Sequence, residues 1–399
     1  MTPQPTARLG RTVALCFLVA ALEGFDIQAL GIAAPRMVPE LGFTPSQVGW
    51  LFSIGNIGLI FGAVSGGRIS DHVGRRRMLV LATLSFGLFT LPMAFLHSYA
   101  ALMSVRFLAG IGFGAAVPNL MTLAAESSPK GRRGTTIALT MCGLPVGGSV
   151  VALVSQFLPS AESWRLLFLL GGLAPLPLVW ALARFLPETY REPGKTGEDA
   201  LPVRDALFGE GRTPRTLLVW CAFLPLMAAL YLILNWLPIL ATAKGLAARS
   251  APLASLAFNL ASLFGSVLIA RWIDLGGRRW PIALSSLAVI AALLSLARQS
   301  DQSGLLLASG ATGFFLMAVI FALYEISATQ YPRRGRGTGA GTAAGVGRVG
   351  SVLGPLVAGW LLNSGTSANT VLLVLVPVVG VAGLSLFVLS FLEPGEGAR

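Results

Sequence analysis

Five charged side chains stand where a charge is costly. Glu23, Asp26, Arg106, Glu325 and Arg348 each fall inside a long apolar block of the sequence, and ionisable groups at such depth mark ion or substrate pathways. Glu23 and Asp26 are three residues apart, so on a helix they share one face, with Cβ atoms about 5–6 Å apart. Two carboxylates that close in a poorly solvated site cannot both ionise cheaply. One is therefore expected to hold a proton near neutral pH and to load and release it. The alternative is a pair of solvated or salt-bridged acids at a helix end. Arg348 sits in the run Gly345-Val346-Gly347-Arg348-Val349-Gly350, and its planar fork can grip a carboxylate bidentately. The alternative there is a structural ion pair, with Glu325 as partner. Asn119, Asn235 and Asn259 add polar groups in apolar surroundings, and Tyr324 and Trp236 add aromatic faces. Together they could hydrogen-bond and stack an aromatic ligand, or simply tie helices to one another.

Enzyme chemistry finds no support. The run Gly345 to Gly350 fits G-x-G-x-x-G, but no strand precedes it and the segment is apolar and helical in pattern. Gly194-Lys195-Thr196 ends like a phosphate loop, yet Thr189 stands where the first glycine would be. His72 and His97 are isolated, and Cys16, Cys142 and Cys221 lie in apolar segments at no metal spacing, as small buried hydrophobes do. No cofactor is implied, and without an ATP site any transport is expected to be driven by an ion gradient.

The elements that must position these residues are membrane helices. Hydrophobic residues make up 54% of the 399-residue chain and charged residues 12%, with mean hydropathy +0.75. A soluble domain carries about 25% charged residues. Apolar blocks of about 20 residues match the bilayer core, and none alternates as a membrane β-barrel would. The expected fold is an all-α membrane protein with helices near 11–34, 45–67, 78–96, 100–125, 134–158, 164–186, 215–241, 249–272, 280–297, 304–329, 337–361 and 369–392. Thr44, Pro45 and Gln47 signal the second start as a capping box with proline at the first helical position. Arg8 and Arg11 precede an apolar run, but Glu23 and Asp26 interrupt it and it is too long for a cleaved leader. A polar stretch over 188–213 divides two halves, 1–187 and 214–399. Of the 29 Lys and Arg, 22 fall on the side of the termini and this linker. Only Arg36, Arg165, Lys244, Arg249 and Arg298 fall on the other. The positive-inside rule puts the first set, with both termini, in the cytoplasm. The same distribution argues against nucleic acid as the reason for the net charge of +12.

The two halves repeat. Asp71, Gly74, Arg75 and Arg76 recur as Asp274, Gly277, Arg278 and Arg279, and Arg133-Gly134-Thr135 recurs as Arg336-Gly337-Thr338, both at an offset of 203. This implies two pseudo-symmetric six-helix halves in parallel orientation, with a substrate site near the midplane where they meet. Arginines in such loops can bind helix C-terminal carbonyls and an Asp can cap an N-terminus, so both loops read as gate latches. Gly58, Gly62 and Gly66, and likewise Gly337, Gly341 and Gly345, are spaced by four and read as close-packing stripes.

The string Gly67-Arg68-Ile69-Ser70-Asp71-His72-Val73-Gly74-Arg75-Arg76-Arg77 resembles the loop signature of the major facilitator superfamily, with His72 where a basic residue is usual. Arg106 followed by Gly110, Gly112 and Gly114 resembles its fourth-helix motif. Within the superfamily, Glu23-Gly24-Phe25-Asp26, Ala116-Val117-Pro118-Asn119 and Gly347-Arg348-Val349-Gly350 resemble the aromatic acid:H+ symporters, with Glu23 where Asp is frequent. The resemblance implies proton-coupled uptake of a small aromatic carboxylate across a bacterial inner membrane by a monomer. Its partners would be the acid, protons and lipid. It adds Arg106 to Glu23 and Asp26 in proton coupling, and Gly67 to the gating set. Arg348, Asn119, Asn235, Trp236, Tyr324 and Glu325 are the expected substrate residues. A drug or metabolite efflux antiporter of the same fold is the alternative. Gly143-Leu144-Pro145-Val146-Gly147-Gly148 departs from the fifth-helix order of such antiporters.

Overall fold

A computed structural model describes residues 5–129, 132–158, 163–186, 201–332 and 334–392. Within them the chain is helical, with no strand, and twelve helices are long and apolar enough to cross a membrane. We label them α1 (Leu9–Leu41), α2 (Pro45–Ser70), α3 (Arg75–Ala94), α4 (Tyr99–Ser127), α5 (Arg133–Gln156) and α6 (Trp164–Phe185). The second set is α7 (Thr213–Ala243), α8 (Pro252–Leu275), α9 (Arg279–Arg298), α10 (Gln302–Ser327), α11 (Arg336–Asn363) and α12 (Ala368–Phe391). Large apolar side chains such as Trp180, Phe264, Leu275, Leu307 and Leu384 stay exposed on these helices. Water would not tolerate that much apolar surface, whereas lipid does.

Local signals explain most helix ends. Thr44 caps α2 as expected: its N–H donates to Gln47 Oε1 at 2.9 Å and its Oγ1 accepts from the Gln47 N–H at 3.3 Å. α1 runs seven residues past the expected end at Ala34, through Pro35 and Pro39, to Leu41. A proline removes one donor without forbidding helix beyond it; Gly42, at φ 69°, stops the chain instead. α5 is interrupted at Cys142 between Arg133–Met141 and Gly143–Gln156. Pro145 accounts for this, since its ring opposes the Met141 carbonyl four residues back.

Contacts divide the chain into two compact units. One comprises Met1–Gly194 with Ala248–Pro252, the other Lys195–Ala247 with Leu253–Arg399. The expected linker residues 188–200 lie outside the described residues. The rest of that stretch is more ordered than its polarity suggests: a short helix, Val203–Phe208, buries Ala206 and Leu207 in the second unit. Thr216 Oγ1 donates to its Leu207 carbonyl at 2.7 Å, and Arg212 Nη2 to Asp205 O at 2.9 Å.

The sequence repeat is also a packing repeat. A Cβ at Gly62 of α2 would overlap the Ile111 carbonyl oxygen of α4, and one at Gly265 of α8 would overlap that of Phe314 on α10. Gly147 of α5 meets Ala21 O of α1, and Gly350 of α11 meets Leu224 O of α7. Every residue in the second member of each pair lies 203 positions after its counterpart. The stripe Gly58, Gly62 and Gly66 packs on α4 as expected. Gly337, Gly341 and Gly345 do not pack: a Cβ at any of them meets nothing within 4 Å. The close face of α11 is instead the one carrying Gly350 and Gly354.

Candidate functional site

In the first unit, three successive residues of α1 point at three helices because each turns about 100° from the last. Gly24 lies against the Leu144 backbone of α5, and the Phe25 ring lies beside Gly171 of α6. Asp26 reaches Arg106 of α4, with Nη1 donating to Oδ2 at 2.7 Å. The Arg106 fork also reaches the Asp26 and Ile27 carbonyl oxygens at 3.4 Å. The pair is sealed, with side-chain exposure of 5% for Arg106 and 0% for Asp26. Gly55 of α2 leaves room for the guanidinium, whose Nε lies 3.1 Å from where its Cβ would be. Glu23 is buried one turn back on α1. The charged partner of Asp26 is thus an arginine from another helix, where spacing alone suggested a second carboxylate. Breaking a buried pair by removing one partner costs about 3–5 kcal/mol, so what neutralises Asp26 also decides the state of Arg106.

In the second unit, Arg348 Nη1 donates to Tyr231 Oη at 2.9 Å. Tyr231 is buried on α7. The Tyr324 ring packs edge-on against Phe223 at 5.0 Å and lies within electrostatic reach of Arg348 and Tyr231. Tyr324 keeps 48% of its surface accessible. Tyr231 and Phe223 were not picked out from sequence. Tyr231 is the sole tyrosine of α7, and a phenol within a membrane span was the available signal.

Other expected substrate residues are engaged with backbone or grouped with the loop charges. Trp236 is buried to 1% exposure, and its indole N–H donates to Pro355 O at 3.1 Å. It ties α7 to α11 and offers no open face. Asn119 and Asn235 are buried and donate to the carbonyls four residues back, Ala115 at 2.8 Å and Tyr231 at 2.7 Å. Asn259 does the same with Ser255 at 2.8 Å. An amide in an apolar bundle satisfies itself on the nearest backbone. Glu325 is exposed near the end of α10, within electrostatic reach of Arg278 and Asp274, which groups it with the loop charges.

Those loops act on helix ends. Gly74, at φ 96°, and Gly277, at φ 78°, make the turns after α2 and α8 in a conformation other residues resist. Arg75 pairs with Glu126 at the end of α4, and Arg76 Nη2 donates to Ala183 O near the end of α6. In the repeat, Arg278 donates to Leu392 O at 2.7 Å and Ser390 O at 3.3 Å, at the end of α12. The side chain of Asp71 lies outside the described residues, and Gly67 borders open space.

Comparison with known proteins agrees with this fold. The Major Facilitator Superfamily matches residues 16–265 and 240–399. The chain is 36% identical over 387 residues to the 3-(3-hydroxy-phenyl)propionate transporter of Escherichia coli (strain K12), covering 96% of this chain and 94% of that protein. It is 30% identical over 384 residues to the gallate transporter of Pseudomonas putida, covering 88% and 85%. The crystal structure of a D-xylose-proton symporter superposes with a TM-score of 0.77 at 17% identity, covering 98% of this chain and 99% of that one. This twelve-helix membrane protein therefore belongs to the Major Facilitator Superfamily and is a transporter rather than an enzyme.

Proposed function

We propose that the protein carries a small aromatic carboxylate, of the 3-(3-hydroxyphenyl)propionate kind, into a bacterial cell together with protons, with no cofactor. It would do so as a monomer in the inner membrane with both termini in the cytoplasm. The observation that carries the reading is the sealed Asp26–Arg106 pair. While Asp26 is ionised the pair is internally neutral. A proton taken up by Asp26 leaves Arg106 uncompensated inside the bundle, and an uncompensated cation favours an anion. Proton and organic anion then bind with mutual assistance, since coupling between two ligands is reciprocal. Arg348, oriented by Tyr231 and neighboured by the accessible Tyr324 ring, supplies a fork for a carboxylate beside an aromatic face. The relatives named for 3-(3-hydroxy-phenyl)propionate and gallate both take hydroxylated aromatic acids, which is the ligand chemistry such a pairing suits. The arginine contacts to helix ends would hold one conformation until substrate is bound.

The test is uptake of radiolabelled aromatic acids by cells expressing the chain, with and without a protonophore. Accumulation of at least one hydroxylated aromatic acid should collapse with the protonophore. Asp26→Asn should abolish accumulation, and Glu23→Gln should abolish it or shift its pH dependence. Full, pH-independent accumulation by Asp26→Asn would remove proton coupling through this residue.

A further inference from the structure

Arg106 engages only one oxygen of the Asp26 carboxylate, Oδ2. The other, Oδ1, is buried without a hydrogen-bond partner, and so is the Thr90 hydroxyl of α3. Thr90 is the hydroxyl side chain that lies beside the Asp26 carboxylate, short of a formed bond. Its Cγ2 faces α6, 3.4 Å from where a Cβ of Gly171 would stand and beside the Phe25 ring. The methyl is thus turned toward α6. Thr90 also breaks a habit of this chain. Thr83, Thr122, Thr136, Thr140 and Thr312 each donate to the carbonyl four residues back, at 2.7–3.0 Å. Thr90 does not, although it ends the α-helical part of α3, just before the 3-10 turn Leu91–Ala94. A fully buried hydroxyl withheld from its own helix, beside a carboxylate with an unmet acceptor, is an arrangement that membrane burial makes expensive unless the two meet.

We propose that Thr90 is a positioning residue of the proton site, donating to Asp26 Oδ1 when the carboxylate is charged and accepting from Asp26 when it is protonated. A hydroxyl can do both because it carries one donor and two lone pairs. The role rests on the reading of Asp26 as the proton carrier. Arg106 faces it from α4 and only donates; Glu23 stands a turn away on α1. α6 presents Gly171, α5 presents the Leu144 backbone at Gly24, and α2 presents Gly55 beside Arg106. A bond to the charged form is stronger than one to the neutral form, so the hydroxyl favours ionised Asp26 and its loss favours the protonated state.

The experiment compares the pH profile of proton-driven uptake for wild type, Thr90→Val, Thr90→Ser, Thr90→Ala and Asp26→Asn, normalised to protein in the membrane. Valine keeps the shape and removes the hydroxyl; serine keeps the hydroxyl and removes the methyl. Thr90→Val should move the midpoint to higher pH by about one unit, a tenfold change in proton affinity, and Thr90→Ser should restore the wild-type midpoint. Should the valine variant not reach the membrane, Thr90→Ala carries the same expectation. Wild-type midpoints for both hydroxyl-less variants, or equal displacement by serine and valine, would overturn the assignment. The two readings separate through Asp26→Asn. If it keeps the wild-type profile, proton coupling through Asp26 fails. If it loses the profile while Thr90→Val keeps it, only Thr90 is wrongly placed.

Discussion

A guanidinium inside a membrane helix can be met by an acid or by neutral oxygens, and this chain does both. Arg106 meets Asp26; Arg348 meets the phenol of Tyr231, which orients its fork. On the proposed reading that fork grips the anionic ligand. Arg348→Lys keeps the charge but loses the planar fork. Losing one charge-assisted hydrogen bond, about 1.5–3 kcal/mol, should weaken binding by roughly one to two decades. Binding of an aromatic acid and of its uncharged amide should be compared: wild type should prefer the acid, and the variant should lose most of that preference. Equal losses for acid and amide would make Arg348 a structural residue. Asp26, Arg106 and Arg348 were legible in the sequence because a charge in an apolar run declares itself. Thr90 and Tyr231 were not, because hydroxyls are common in membrane helices and usually bond their own backbone. Trp236, Asn119 and Asn235 show the converse: sequence shows polarity and aromaticity but not whether nearby backbone has already taken up the polar group.

At the scale of elements, helix approach is set by where a Cβ is missing. Gly147 and Gly350 sit against the carbonyls of Ala21 and Leu224, while Gly341 borders open space. Gly147→Ala and Gly350→Ala should each lower the melting temperature in detergent, since overpacking costs about 1–3 kcal/mol. Gly341→Ala adds a methyl to space and gains up to about 1 kcal/mol of helix propensity, so it should melt at or above the wild-type temperature. Comparable destabilisation by Gly341→Ala would sink this account of packing. Spacing by four revealed the stripe at Gly58, Gly62 and Gly66 but misled at Gly337, Gly341 and Gly345. Periodicity identifies a smooth face without saying whether another helix covers it. The prolines taught a similar lesson. The expected span ended at Ala34, yet α1 continues through Pro35 to Leu41, whereas Pro145 lies just beyond the interruption at Cys142.

For the whole molecule, the same architecture is built twice, with the α2–α4 and α5–α1 approaches of one unit recurring as α8–α10 and α11–α7 of the other. The fold was legible because hydrophobic length and a fixed offset survive divergence between repeats. The membrane-embedded charges were legible one at a time but not as a set, because they do not obey the repeat. Asp26 and Arg106 have Ala229 and Ser309 at the corresponding positions, and Arg348 corresponds to Pro145. Orientation obeys neither packing nor repeat; it rests on the 22 basic residues on one side against five on the other. We expect the linker helix in the cytoplasm and the α3–α4 turn outside. Single cysteines at Arg204 and Ser98, both exposed, can be introduced after Cys16, Cys142 and Cys221 are replaced by alanine. An impermeant maleimide should label Ser98→Cys in intact cells, and Arg204→Cys only after permeabilisation. Labelling of Arg204→Cys in intact cells would invert the topology. Arg75, Arg76 and Arg278 would then face outward, and a cytoplasmic latch could not be built from them.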